Sequence, residues 1–154
     1  MSVAVGKKLP AFSLPRSDGT SWKTSDVAGG KLVLYFYPKA MTGGCTLEGQ
    51  DFRDLHAAFK RAKTTVLGIS RDSCERQAKF RAKEKFPFEL LSDEDEKVCR
   101  LFDVIREKSL YGRKFMGIER STFLFGADGR LAREWRKVRV KGHAAEVLEA
   151  AQSL

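Results

Sequence analysis

Hydrophobic residues along this chain alternate between runs that suit strands and spacings that suit helices, and their order predicts a layered α/β molecule. Phe12 and Leu14 alternate with polar positions, the turn Arg16-Ser17-Asp18-Gly19 follows, and then Trp22, which predicts a small N-terminal hairpin. Gly29-Gly30 is a turn. Residues 31–38 are mostly apolar and carry aromatic side chains, the pattern of a central strand covered on both faces. Over residues 46–62 the apolar positions Leu47, Phe52, Leu55, Phe59 and Ala62 fall mainly at helical steps, predicting one helix with one buried stripe. Residues 65–70 form a second buried strand, and 73–85 a charged helix that Phe86-Pro87 breaks. A short strand at 88–91 leads to Ser92, which is expected to cap a helix over 92–102 whose first turn is Asp93-Glu94-Asp95-Glu96. Strands at 121–126 and 131–138 flank Ala127-Asp128-Gly129, a hairpin signal, and a helix at 144–151 closes the chain. Strand–helix alternation followed by a hairpin and a last helix implies a central mixed β-sheet with helices on both faces. With no linker and no internal repeat, residues 1–154 read as a single domain.

Composition narrows the class. The chain is 42% hydrophobic and 32% charged, an ordinary globular balance. Its longest apolar run is far short of the ~20 residues of a membrane span, and no secretory pattern stands at the N-terminus, so a cytoplasmic protein without a membrane partner is expected. The net charge of +9 raises nucleic acid as a partner. The basic residues are interleaved with acids, however, and the densest cluster, residues 133–141, reads as a solvated strand face, so no specific nucleic-acid binding is expected. Gly30-Lys31 lacks the rest of a phosphate loop, and the acidic run after Ser92 has Val98 where a calcium loop needs glycine. His56 and His143 are isolated, and no metal or cofactor is expected.

The chemistry concentrates at one cysteine. Cys45 follows the apolar strand, Pro38, Thr42 and two glycines, and a helix opens around it. Peptide N–H groups at a helix start have no intrahelical partner, and that end of the helix is positive. Cysteines so placed have pKa values lowered to about 3.5–7.5 and react as thiolates. Cys74 and Cys99 complete an odd set at wide spacing, without Cys-x-x-Cys, so neither a disulfide framework nor paired-thiol exchange is implied.

The segments Tyr35-Phe36-Tyr37-Pro38, Thr42-Gly43-Gly44-Cys45-Thr46, Gly68-Ile69-Ser70-Arg71-Asp72-Ser73, Phe102-Asp103-Val104, Gly117-Ile118-Glu119-Arg120-Ser121-Thr122-Phe123 and Gly142-His143 occur in one order along the chain. Together they resemble the peroxiredoxins, and more narrowly the bacterioferritin comigratory protein (peroxiredoxin Q) branch. The resemblance implies a thioredoxin-like fold and a thiol-dependent peroxidase acting on hydrogen peroxide and organic hydroperoxides. It makes Cys45 the peroxidatic cysteine, which becomes a sulfenic acid. Thr42 offers a hydroxyl beside it, Pro38 shields it, Arg120 supplies a fixed positive charge, Gly44 lets backbone approach the ligand, and Glu48 orients Arg120 or closes the rim. Gly43 stands where many relatives have proline, which implies a more mobile loop.

Regeneration departs from the family pattern. Resolving cysteines of this branch lie at the positions of Gln50 or Arg81 here. Cys74, seven residues before Arg81 (81 − 74), shares its helix face and stands about 10 Å nearer the helix start, on the sheet edge where the Cys45 loop also lies. Cys74 is one candidate resolver, Cys99 among apolar neighbours a weaker one, and direct attack by an external thiol is the third route. Thioredoxin or another thiol reductant is the implied partner. No arm follows the last helix, and a monomer is expected.

Overall fold

The computed structural model describes residues 3–27 and 29–154. In chain order, β1 (Ser13–Pro15) and β2 (Ser21–Lys23) form the N-terminal hairpin, and a 3-10 turn (Thr24–Val27) leads toward β3 (Lys31–Phe36). Next come α1 (Gly43–Asp54), α2 (His56–Arg61), β4 (Thr64–Ser70), α3 (Cys74–Glu84), β5 (Glu89–Ser92) and α4 (Lys97–Leu101). The chain continues through β6 (Ile105–Leu110), β7 (Arg113–Ile118), β8 (Ser121–Phe125), β9 (Leu131–Trp135) and α5 (His143–Gln152). The central sheet has the order β5-β4-β3-β8-β9, with β3, β4 and β5 mutually parallel and β8 and β9 antiparallel to their neighbours. This is the mixed sheet that the hydrophobic pattern implies.

Strand β3 shows why the sheet sits in the middle. Leu32, Leu34 and Phe36 point into one apolar layer and Val33, Tyr35 and Tyr37 into the other, all buried. The first layer is closed by Leu14 and Trp22 of the hairpin and by Val98, Cys99 and Phe102 in and after α4. The second is closed by Phe52 of α1, Phe59 of α2, Phe80 of α3, and Val147 and Ala151 of α5. Helices cover both faces, unevenly. Among the described residues no helix is long and apolar enough to cross a membrane.

Five details differ from the expectations above. The single helix expected over 46–62 starts earlier, at Gly43, and breaks at Leu55 (φ −100°, ψ 2°), so Cys45 lies inside its first turn. Leu47 is 49% exposed because the five-residue step to Phe52 carries it off the buried stripe. Ser92 belongs to β5, α4 starts only at Lys97 after the N-cap Glu96, and the buried Asp93 carboxylate accepts from the backbone N–H groups of Val98 (3.2 Å) and Cys99 (2.7 Å) in its first turn. The segment β6–β7, unassigned from sequence, is an antiparallel hairpin turning on Tyr111 (φ 51°) and Gly112 (φ 76°), two left-handed residues as a tight two-residue turn requires. Finally, β9 stops at Trp135, and Arg136 does not sit on a solvated strand face. Its guanidinium donates to the carbonyls of Phe102 (3.0 Å) and Asp103 (2.8 Å) and lies 5.1 Å from the Phe123 ring centroid.

Strand register then defines one edge of the sheet. Phe36 pairs with both Ile69 and Ser121, and Ser70 pairs with Ser92. The chain leaving β3, the chain leaving β4 and the residue entering β8 therefore emerge together. That edge carries the chemistry.

Candidate active site

The loop after β3 delivers Cys45 into the first turn of α1. Thr42 is the N-cap, with extended backbone (φ −98°, ψ 161°), and the first helical bond runs from Thr46 N to Thr42 O at 2.8 Å. The N–H groups of Gly43, Gly44 and Cys45 precede that bond and have no helical acceptor. Thr42 spends its hydroxyl on the Lys39 carbonyl (2.8 Å) instead of on a cap bond, leaving an exposed oxygen at the mouth of the site. Pro38, two residues after the end of β3, is half-buried. Cys45 is only 2% exposed.

Arg120 arrives from 75 residues away because β8 runs antiparallel to β3 and begins beside Phe36. One arm of its guanidinium, Nη2, donates to Cys45 Sγ at 3.4 Å, and the other, Nη1, donates to Glu48 Oε1 at 2.6 Å. Glu48 stands one helical turn beyond Cys45 and is buried. Burial works to discharge Arg120, yet Glu48 and the Cys45 sulfur together hold its pKa above the ordinary guanidinium value. Burial pushes the Glu48 carboxyl up to about 7 against the pull of Arg120, with Asp51 adding to the rise. Among the described residues its second oxygen, Oε2, has no hydrogen-bond partner, and the buried Tyr35 hydroxyl has none either. Gly44 is open on its outer side, but a Cβ there would stand 3.0 Å from Arg120 Nη2. A side chain at this position would press on the guanidinium.

The structure thus brings Cys45, Arg120 and Glu48 into contact, sets Gly44 against the guanidinium and Thr42 at the cap of the same helix, and leaves Pro38 at the start of the loop that leads to them. It separates the other two cysteines. Cys74 is the half-buried first residue of α3, on the edge that carries the Cys45 loop. Cys99 belongs to the apolar layer on the opposite face of the sheet from Cys45, and burial followed by the nearby Asp93 pushes its thiol far up, away from the reactive form. Cys99 is thus a fully buried member of the apolar layer that Cys45 does not share. Arg81 pairs with Glu89 at 3.0 Å and Gln50 with Glu84 at 2.8 Å, so both family resolver positions hold the scaffold together instead.

Several residues around the site escaped the sequence reading. Asp72 and Arg76 bind the backbone of Ala40 in the Cys45 loop. Lys108 on β6 feels both Arg120 and Cys45: burial, then Arg120, lowers its pKa while the sulfur opposes them. Behind the site His143 Nε2 and Thr122 Oγ1 lie 2.8 Å apart, and burial drives the imidazole down to about 4, with Glu146 opposing and Arg120 assisting. His143 is a neutral packing group. Nothing in its spacing distinguishes Lys108 from the chain's other lysines, whereas Asp72 lies in a segment already singled out.

A buried thiol in a helix's first turn, opposite a half-buried guanidinium on a thioredoxin-like sheet, defines the class of thiol peroxidases. The chain belongs to the AhpC/TSA family, whose profile matches residues 5–134. It is 46% identical over 154 residues to peroxiredoxin Bcp of Bacillus subtilis, covering 100% of this chain and 98% of that protein. It is 51% identical over 147 residues to peroxiredoxin Bcp of Xanthomonas campestris, covering 93% and 92%. Among solved structures, the bacterioferritin comigratory protein of Xanthomonas campestris, described for its alkyl peroxide reduction activity, superposes with a TM-score of 0.90 at 47% identity, over 97% of this chain and 98% of that one. Peroxidoxin BcpB of Mycobacterium tuberculosis matches with a TM-score of 0.87 at 33% identity, over 99% and 98%. Within the family the chain is a thiol-dependent peroxidase of the Bcp (peroxiredoxin Q) branch.

Proposed function

We propose that Cys45 is the residue that attacks the peroxide, that Arg120, Thr42 and the free N–H groups of the α1 start hold the peroxide and its departing oxygen, and that Cys74 takes the second step. The observation that carries this reading is the forked contact of Arg120 with Cys45 and Glu48. In the first step the Cys45 thiolate attacks one peroxide oxygen; an S–O bond forms, the O–O bond breaks, and the departing oxygen takes a proton. Cysteine sulfenic acid and water or an alcohol result. Charge grows on the leaving oxygen in this transition state. Fixed donors already aimed at it require no rearrangement, which is why such sets contribute a factor of about 10²–10³ per donor.

In the second step the Cys74 thiol attacks the Cys45 sulfur, releasing water and leaving a disulfide that an external dithiol reduces. Placement supports Cys74: it stands on the same sheet edge as Cys45, whereas Cys99 lies across the sheet. Cα atoms must come within about 7 Å for the bond, so the first turns of α1 and α3 have to loosen. The reductant is a thioredoxin-like or other thiol protein, and the enzyme works in the cytoplasm as a monomer.

Two measurements test this. Cys45→Ser abolishes peroxide consumption, and turnover that survives the substitution refutes the assignment. Peptide mapping after one equivalent of peroxide yields a Cys45–Cys74 bridge that Cys74→Ser eliminates. Sulfenic acid or external adducts alone would assign the second step to an outside thiol.

A further inference from the structure

Asp72, in the link from β4 to α3, and Arg76, in the first turn of α3, grip the Cys45 loop at one point. Ala40 donates its N–H to Asp72 Oδ2 at 2.8 Å, and its carbonyl accepts from Arg76 Nη2 at 3.1 Å. The two gripping side chains are themselves joined, Arg76 Nε to Asp72 Oδ1 at 3.0 Å. Asp72 is braced from below: Ser70 Oγ donates to Oδ2 at 2.6 Å, and Gln77, which also accepts from the Tyr37 hydroxyl at 2.5 Å, donates to Ser70 Oγ at 3.0 Å. The Asp72 side chain is 7% exposed and that of Arg76 is 43% exposed. Both backbone polar groups of one loop residue thus end on a single carboxylate–guanidinium pair.

That grip falls where the loop has most need of it. Met41, the next residue, is held at φ 64°, a left-handed conformation that side chains with a Cβ avoid. Thr42 follows, tied back to Lys39. Gly43 supplies no stiffness of its own. The gripping residues also bracket Cys74, one on each side. Release of the grip therefore frees the Cys45 loop and the start of α3 in one event.

We propose that Asp72 and Arg76 are positioning residues for Cys45: their grip on Ala40 holds the loop in the geometry that meets peroxide, and its release is what frees Cys45 for the thiol step. This rests on the assignment of Cys45 as the attacking residue. The two half-reactions need opposite things of the loop. Peroxide attack needs it fixed, because small misplacements of a reacting group cost up to about a hundredfold in rate. Disulfide formation or attack by an outside thiol needs it open, because the sulfur is buried.

The test is rapid-mixing kinetics on the full chain, with hydrogen peroxide, of Asp72→Asn, Arg76→Gln and Arg76→Lys. Loosening the grip should slow oxidation of Cys45 by about ten- to a hundredfold. It should accelerate the step that consumes the sulfenic acid. Less sulfenic acid should then be carried on by a second peroxide to sulfinic acid, which intact mass reads directly. Arg76→Lys, which keeps the charge, should fall between wild type and Arg76→Gln. Both rates unchanged, or both reduced together, would overturn the proposal, since general damage slows the two alike. Arg76 is partly exposed, so its variants report even if Asp72→Asn does not fold. If Cys45 were not the attacking residue, wild-type Cys45 would stay unmodified by peroxide, a different result from any of these.

Discussion

At the residue scale Glu48 is a carboxyl whose surroundings oppose its charge. One oxygen meets Arg120, the other has no hydrogen-bond partner among the described residues, and Tyr35 and Asp51 are further groups in its surroundings. Its folded pKa of about 7 lies above the ordinary 4.5, so the folded state keeps a proton that the unfolded chain has lost. The sign follows by linkage. This carboxyl's contribution is fully favourable below about pH 4.5, declines as pH rises through the window to about 7, and then stays lost, on the order of 3 kcal/mol in all. Glu48→Gln removes the titration. Urea unfolding of both proteins at pH 5 and pH 8 should show the variant gaining on wild type at the higher pH. A variant that loses ground instead would mean that Glu48 is stabilised as an ion. The candidacy of Cys45, Arg120 and Glu48 was legible in sequence, Cys45 from its place at a helix start and the other two through the family resemblance, and the structure sets the three in contact. The grip on Ala40 was not, because its atoms on the loop side are backbone and any residue there would offer them.

At the element scale the three glycines of α1 make a graded test of how the helix is seated. Replacing glycine with alanine inside a helix ordinarily stabilises by up to about 1 kcal/mol. Gly43 has open space around a new Cβ, and Gly43→Ala should show that gain. At Gly49 a Cβ would overlap the ring of Phe86, coming within 2.9 Å of Cε1. That ring cannot step aside, being stacked on Phe88 at 5.1 Å and edge-on to Phe80 at 4.9 Å. Overpacking of this kind costs about 1–3 kcal/mol, so Gly49→Ala should lower the urea midpoint. Gly44→Ala presses on Arg120 Nη2 and belongs between them: near wild-type stability, with peroxide reduction slowed about tenfold or more. Equal stability of all three variants would show that α1 is not docked as described. The hydrophobic pattern placed the main elements well but missed the break at Leu55 and the β6–β7 hairpin. Periodicity reports burial, and that hairpin is largely exposed beyond Ile105 and Ile118, with only Tyr111-Gly112 to signal it.

At the scale of the whole molecule, the sheet separates two apolar layers that share every strand of β3 and β4 but almost no side chains. Each layer happens to contain one tryptophan: Trp22 lies in the layer of α4 and the N-terminal hairpin, Trp135 against the layer of α1, α2 and α5. The two layers cannot come apart independently if the sheet is their common wall, because exposing one face of Leu34 or Tyr35 unpairs the backbone that supports the other. A single cooperative domain is therefore expected. Trp22→Phe and Trp135→Phe each leave one fluorescent reporter, on opposite faces of the sheet. Their denaturation curves, each superposed on the far-ultraviolet signal of the same variant, should share one midpoint and one slope. The layer holding Cys45 and the layer holding Cys99 would then open only together. A Trp135 transition at lower denaturant than the secondary-structure transition would instead identify the Cys45 layer as a separate, looser unit.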